Sequence, residues 1–114
     1  MVPFALAFSL AACDAPPGSK THGSSVVQPS EAHHLVETGA TLVDVRTPEE
    51  FQARHIPGAL NVPVDELEDH LAQVPSGKPV VVYCATGMRS AAAARILRGK
   101  GRTDVFDLGP MSRW

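Results

Sequence analysis

The stretch with the clearest chemical potential is "VVVYCATGMRSAAAARIL", which sets Cys84 between a run of β-branched residues and a run of alanines. The apolar run from Val80 predicts a strand that is buried on both faces, and the alanine-rich run predicts a helix. Cys84 therefore falls where the carboxyl end of a strand meets the beginning of a helix. Open α/β sheets carry their sites at this edge, so nucleophilic thiol chemistry is the first function to consider.

The turn after Cys84 has features that favour a reactive thiolate. Gly87 permits an unusual backbone angle, so successive amide N–H groups can converge on one point. The positive end of the following helix and the side chain of Arg89 add to the same field, which favours the nucleophilic, charged form of the thiol. The alternative is a buried structural cysteine at a strand end, and the glycine and arginine make it the weaker interpretation.

Length and charge limit the other classes of function. A chain of 114 residues has room for a single small domain. The net charge is -2 with acids and bases interspersed, which argues against binding to nucleic acid or to an anionic membrane surface. The two cysteines, Cys13 and Cys84, stand in such different contexts that separate roles are expected rather than a disulfide between them.

Helix and strand signals alternate along the rest of the chain, which predicts an α/β domain with a mostly parallel sheet. The predicted strands are 41–45, 59–62, 80–84 and 104–108. The predicted helices run from the N-cap Ser30 to about Thr38, from Pro48 after the N-cap Thr47, over the amphipathic segment 64–74, and from Met88 to Gly99 or Gly101.

Three segments resemble one family in the same order. "CATGMRS" is similar to the active-site loop of rhodanese sulfurtransferases, in which Cys is followed by two residues, Gly, one residue, Arg, and Ser or Thr. "LVDVRTPEEFQARHIPGALNVP" resembles the upstream signature of that family, and "DVFDLGPMSRW" resembles its closing segment. The likeness covers residues 28–114 and implies a rhodanese domain with a five-stranded, mostly parallel sheet flanked by helices.

The resemblance implies a two-step sulfur transfer. The Cys84 thiolate attacks the outer sulfur of a small anionic donor such as thiosulfate, sulfite leaves, and a thiophilic acceptor then takes the sulfur from the cysteine persulfide. Like charges repel by about 4 kcal/mol per pair at about 4 Å and an effective dielectric of about 20, so positive groups must offset the approach. Neither a metal nor an organic cofactor is required. The implied substrate-binding residues are Ala85, Thr86, Gly87, Met88, Arg89 and Ser90.

Several other polar residues are expected to be structural. Asp44, Arg46 and Glu50 are predicted to form an ion-pair network that holds a strand to the helix after it, and the resemblance implies that His55 is a hydrogen-bonded turn residue. His33 and His34 are adjacent and point about 100° apart on a helix, so no metal site is predicted.

The chain also departs from the family pattern at two places. Arg54 stands where the family usually has Gly before the His, and Pro110 stands where it commonly has a second Gly. Proline has no backbone N–H, so Pro110 removes one donor near the expected pocket.

The N-terminal segment predicts export. Residues 2–12 form an apolar run that is shorter than the roughly 20 residues of a spanning helix, which is typical of a secretory signal. "LAAC" is similar to the lipobox of bacterial lipoproteins, although the usual basic residues before the apolar run are missing. This likeness implies a signal at 1–12 and lipid on Cys13, which would anchor the protein on the periplasmic side of a membrane. Residues 13–27 are rich in Pro, Gly and Ser and are predicted to be a flexible tether, and the domain is expected to be a monomer. A plain signal peptide and a buried apolar arm remain open.

Two other functions stay open for the domain. Phosphatases and arsenate reductases of the related fold have five residues between the nucleophilic Cys and the Arg, whereas only Ala85, Thr86, Gly87 and Met88 intervene here. The smaller ring suits a single sulfur atom better than a tetrahedral oxyanion. The other possibility is a persulfide carrier that docks on another protein with little turnover of small molecules.

Overall fold

The computed structural model describes residues 26–114, so the predicted signal, Cys13 and most of the predicted tether lie outside the described residues. Helices and strands alternate along this part of the chain, which confirms the α/β class. The elements are α1 (Pro29–Glu37), β1 (Thr41–Asp44), α2 (Pro48–Ala53), β2 (Leu60–Asn61), a 3₁₀ helix (Val64–Gln73), β3 (Val80–Cys84), α3 (Met88–Gly99), β4 (Val105–Pro110) and a closing 3₁₀ turn (Met111–Arg113).

The strands form one parallel sheet in the order β2-β1-β3-β4. The carboxyl ends of all the strands therefore lie at one edge, and Cys84 on β3 is level with Pro110 on β4. A shift of register between Val82 and Tyr83 allows β4 to turn at this edge. The central position of β3 explains why its sequence is apolar without alternation.

Both faces of the sheet are covered. On one face Val82 and Cys84 pack with α3 and the long 3₁₀ helix, through residues such as Leu97 and Leu67. On the other face Val81 and Tyr83 pack against α1. Each side chain of β3 thus enters one of two cores, and the whole strand is buried. The position of Cys84 is held by the packing of the sheet.

The described residues contain four strands, so the prediction of a five-stranded sheet was wrong. Val27 lies beside β4 and donates one backbone hydrogen bond to the carbonyl of Asp107 at 2.9 Å. A single bond does not make a ladder, and Pro29 begins α1 two residues later. The segment before α1 therefore runs along the edge of the sheet without joining it.

Two helices differ from their prediction. The first begins at Pro29 after Gln28, earlier than the predicted N-cap Ser30, because proline suits the first turn of a helix. The segment 64–74 was predicted as an amphipathic α-helix, but it is 3₁₀ and is kinked at His70. Asp65 and Asp69 are like charges at helical spacing, which disfavours an α-helix. Pro75 has no N–H to donate to the carbonyl of Leu71, and this carbonyl accepts from Val74 and Arg102 instead.

Helix length also bears on membrane insertion. Within residues 26–114, no helix combines the length and the apolar composition that crossing a membrane requires. The longest α-helix of this part of the chain is α3, with 12 residues.

Candidate active site

The candidate site is centred on Cys84, the last residue of β3. Its thiol is free, and the residue has 0% exposure. The residues that follow it, Ala85 and Thr86, are exposed and form the outer part of the turn. The sulfur therefore lies just beneath an exposed loop, at the edge of the sheet where α3 begins.

Gly87 is the residue of the loop that touches the sulfur. Its backbone N–H donates to Sγ of Cys84 at 2.9 Å, and its φ is +106°. A side chain rarely adopts this angle, which explains glycine at this position. Among the hydrogen bonds of the described residues, only this one reaches the sulfur, so the expected convergence of several amides is reduced to a single amide.

The beginning of α3 supports this contact. Gly87 is the N-cap of the helix, which runs for 12 residues, so the positive end of the helix dipole lies beside the sulfur. Ser90 is buried, and its hydroxyl donates to the carbonyl of Gly87 at 3.2 Å. Ser90 therefore holds the loop in shape, although the sequence placed it among the substrate-binding residues.

Arg89 has a partner that the sequence did not predict. Its guanidinium donates to both carboxylate oxygens of Glu50, at 2.8 Å and 3.1 Å. Arg89 was predicted to contact the anion and Glu50 to join Asp44 and Arg46, whereas the structure pairs Arg89 with Glu50. The pair connects the beginning of α2 with the beginning of α3, and it lies at the rim, since the side chains are 35% and 36% exposed.

The local structure of α2 positions Glu50. Thr47 and Glu50 form a capping box, in which each side chain accepts a hydrogen bond from the backbone of the other. The hydrogen bond from Arg89, followed by that from the backbone of Thr47, lowers the pKa of Glu50 to about 2. Glu50 in turn raises the pKa of Arg89, and the nearby Cys84 contributes to the same shift. Both groups are therefore charged at neutral pH.

Asp44 and Arg46 form a separate ion pair. Both are buried, and Nη2 of Arg46 lies 2.6 Å from Oδ2 of Asp44. The carboxylate of Asp44 raises the pKa of Arg46. Asn61 donates to the carbonyls of both residues at 3.0 Å, a role that the sequence analysis missed although Asn61 lies in the upstream signature. These contacts join the ends of β1 and β2.

The segment after α2 is tied to the same pair. Arg46 donates to the carbonyl of Arg54 at 2.7 Å, and the guanidinium lies 5.7 Å from the ring centre of Tyr83. Arg54 has a φ of -176°, an extended conformation that any residue adopts, so its replacement of glycine causes no strain. Nδ1 of His55 lies 2.8 Å from the carbonyl oxygen of Phe51, and the two rings are stacked.

Tyr83 was also missed by the sequence analysis. Its hydroxyl accepts the backbone N–H of Ile56 at 3.1 Å, and burial raises its pKa. Pro110, the other departure, lies behind the loop, because a Cβ added to Gly87 would come 3.5 Å from Cδ of Pro110. Within residues 26–114, no cluster of three potential metal ligands is present.

Comparisons with known proteins agree with this architecture. Residues 28–114 match the family model of the rhodanese-like domain. The chain is 37% identical over 89 residues to the thiosulfate sulfurtransferase GlpE of Pseudomonas syringae, which covers 77% of this chain and 84% of GlpE. It is 41% identical over 76 residues to the uncharacterized protein YqhL of Bacillus subtilis, which covers 66% of this chain and 60% of YqhL.

A solved structure shows the same fold. The human single-domain sulfurtransferase TSTD1 has a TM-score of 0.67 and 34% identity, with coverage of 81% of this chain and 96% of TSTD1. The family match includes every strand of the sheet and the loop that follows Cys84. The chain therefore belongs to the family of rhodanese-like domains.

Proposed function

We propose that this protein is a sulfurtransferase, in which Cys84 takes a sulfane sulfur from a small anionic donor and passes it to a thiophilic acceptor. The observation that carries the proposal is the 2.9 Å hydrogen bond from the N–H of Gly87 to Sγ of Cys84, at the beginning of α3. The relative GlpE is named a thiosulfate sulfurtransferase, which supports thiosulfate as a donor.

The reaction is a pair of displacements at sulfur. The thiolate of Cys84 attacks the outer sulfur of thiosulfate, a new S–S bond forms, and the old S–S bond breaks with its electron pair leaving on sulfite. The acceptor then attacks the outer sulfur of the persulfide and restores the thiolate. The sulfur of Cys84 is the nucleophile of the first displacement and the leaving group of the second, so the amide of Gly87 stabilises the negative charge that this sulfur carries before the first step and regains in the second.

Mass spectrometry of the intact protein after exposure to thiosulfate tests this proposal. The wild type is expected to gain one sulfur atom and to form thiocyanate when cyanide is added, whereas Cys84→Ser is expected to do neither. Cys13→Ser is the matched control, because it removes the other cysteine and leaves the site intact. Failure of the wild type to gain sulfur, or an equal gain in Cys84→Ser, would contradict the proposal.

The same wild-type and variant proteins distinguish two other functions from sulfur transfer. A sulfur atom on Cys84 without thiocyanate formation would support a persulfide carrier. Hydrolysis of p-nitrophenyl phosphate that depends on Cys84 would support a phosphatase instead.

We also propose that the domain is held on the periplasmic side of a membrane in the cell envelope by lipid on Cys13. The likeness of "LAAC" to a lipobox supports this, and residues 13–27 would then act as the tether of a monomeric domain. Labelling of cells with a fatty acid that carries a click-chemistry handle, followed by fractionation, tests it. The label and the membrane fraction are expected for the wild type and not for Cys13→Ser.

A further inference from the structure

The loop around the sulfur carries little net charge. From Cys84 to Ser90 the only side chain with a permanent charge is Arg89, and both of its terminal nitrogens are bound to Glu50. The exposed members of the loop, Ala85, Thr86 and Met88, are uncharged. An anion that reaches this loop therefore meets a cation whose charge is already balanced by a carboxylate.

This charge balance holds at neutral pH. The pKa of Glu50 is about 2, so its carboxylate stays charged at neutral pH. The pair is also accessible, since about a third of each side chain is exposed. Glu50 therefore adds a fixed negative charge at the exposed rim beside the loop that follows Cys84.

The effect of this charge depends on the charge of the donor. Thiosulfate carries two negative charges, whereas a thiosulfonate, in which an organic group replaces one oxygen, carries one. Repulsion by a fixed carboxylate grows in proportion to the charge of the incoming anion. The carboxylate of Glu50 thus penalises the doubly charged donor more than the singly charged one.

The surface beside the loop suits an organic group. Met88 is 80% exposed and directly follows Gly87, the residue whose amide binds the sulfur. Among residues 26–114, Met88 and Val26 are the large apolar side chains that are exposed. The thioether of Met88 therefore offers an apolar contact to the organic part of a donor as its sulfur reaches Cys84.

We infer that Glu50 is a specificity-determining residue, which neutralises Arg89 and so favours singly charged organic sulfane-sulfur donors over thiosulfate. This inference rests on the proposed sulfurtransferase function. With a thiosulfonate, the thiolate of Cys84 attacks the terminal sulfur, the S–S bond of the donor breaks, and its electron pair leaves on the sulfinate. The persulfide of Cys84 is the same as with thiosulfate, and no oxidant or reductant is consumed.

The test compares two donors on the same enzyme variants. The ratio of kcat/KM for thiosulfate to kcat/KM for benzenethiosulfonate is measured with cyanide as the acceptor. Glu50→Gln is expected to raise this ratio about three- to tenfold, mainly through a lower KM for thiosulfate. Gln keeps an oxygen that can accept from the backbone of Thr47, so the capping box of α2 is retained.

Glu49→Gln is the matched control. Glu49 lies in the same first turn of α2 and is exposed, and its replacement removes the same charge without touching Arg89. Its ratio is expected to stay within about twofold of the wild type, because exposed charges are screened. Glu50→Ala provides a second variant, in which the ratio is also expected to rise because the carboxylate is absent. A loss of folded enzyme in this variant does not affect the ratio, because both donors are measured on the same sample.

The outcomes separate the inference from the function on which it rests. If the wild type uses both donors and the ratio is the same in Glu50→Gln and Glu50→Ala, the inference is wrong and the sulfurtransferase function stands. An equal rise in Glu49→Gln also overturns the inference, because it shows a general effect of charge. If neither donor places sulfur on Cys84 of the wild type, both the function and the inference are wrong.

Discussion

At the scale of single residues, the site depends on one backbone conformation. Gly87 has a φ of +106°, the angle at which the chain enters α3 while the N–H of Gly87 donates to the sulfur of Cys84. Pro110 lies close behind it, since an added Cβ would come 3.5 Å from the proline ring. The shape of the loop therefore depends on Gly87, which has no side chain and packs against the ring of Pro110.

Gly87→Ala is expected to lower sulfur transfer by at least tenfold and stability by about 1 to 2 kcal/mol, because alanine is strained at this angle and its relaxation moves the amide away from the sulfur. Gly101→Ala is the control, with a φ of +93° and open space around an added Cβ. It is expected to lose similar stability and to keep its activity per folded molecule. Urea unfolding and the thiocyanate assay measure the two effects, and equal activity in both variants would contradict the role of Gly87.

A second single residue, Asp44, holds a buried charge in place. Asp44→Asn is expected to destabilise the fold by about 3 to 5 kcal/mol, because it leaves the guanidinium of Arg46 buried without its carboxylate. The exposed Asp65→Asn is the control and is expected to change stability by less than about 0.5 kcal/mol. The free energy of unfolding in urea gives both values. A small loss in Asp44→Asn would show that solvent reaches the pair.

At the scale of elements, the short helix α2 carries Glu50, whose carboxylate binds Arg89 at the beginning of α3. Thr47 and Glu50 cap the helix, and Glu50 also accepts from Arg89. The side chain of Glu50 thus both caps the beginning of α2 and joins it to the loop that follows Cys84. The salt bridge connects residues 39 positions apart in the chain, which explains why local patterns did not indicate it.

The Glu50–Arg89 pair is expected to make stability depend on pH in the acid range. The pKa of Glu50 falls from its ordinary value of 4.5 to about 2 on folding, so the contribution is fully present above about pH 5 and is lost as pH falls toward 2. Urea unfolding at pH 7 and pH 3 should therefore show a larger loss for the wild type than for Glu50→Gln. The difference is small and is reduced by salt, because both side chains are partly exposed.

Two outcomes check this prediction. An equal loss of stability in the wild type and Glu50→Gln would show that the ion pair contributes nothing to folding. A loss in Glu49→Gln that matches the wild type supports the assignment to Glu50, because Glu49 lies in the same turn without binding Arg89.

At the scale of the whole molecule, the two ends of the described chain meet beside β4. Arg113 donates to the carbonyl of Val27 at 2.6 Å and to that of Leu108 at 2.9 Å. The ring of His33 stacks on that of Trp114 at 3.7 Å and makes a hydrogen bond of 2.7 Å with its carbonyl oxygen. These contacts hold the segment that precedes α1 near Gly109, at the edge of the sheet where Cys84 lies, since an added Cβ on Gly109 would come 3.4 Å from Val26.

Arg113→Ala is expected to destabilise the domain by about 1 to 3 kcal/mol, because two charge-assisted hydrogen bonds to backbone carbonyls are lost. Arg95→Ala on the exposed face of α3 is the control and is expected to change stability by less than about 0.5 kcal/mol. Hydrogen exchange should become faster at the amide of Val27 in Arg113→Ala alone. Unchanged protection there would contradict a clamp between the two ends.

Much of the fold follows from local chemistry and could be predicted from the sequence. The apolar run of β3 required cover on both faces, Thr47 and Pro48 marked the beginning of α2, and Gly87 marked the turn after Cys84. The prediction of a fifth strand and of an α-helix over 64–74 was wrong. In the first place α1 begins at Pro29 after a single hydrogen bond to β4, and in the second the carbonyl of Leu71 accepts from Arg102, a residue 31 positions away.

The sequence by itself determined the α/β class and the strand-to-helix turn that presents the sulfur of Cys84. These depend on neighbours within a few positions, where propensity and backbone angle act directly. Only the tertiary structure decided that Arg89 binds Glu50, that a single amide faces the sulfur, and that Arg46 anchors the carbonyl of Arg54. Such pairings are set by distances between elements, and those distances come from the packing of the sheet.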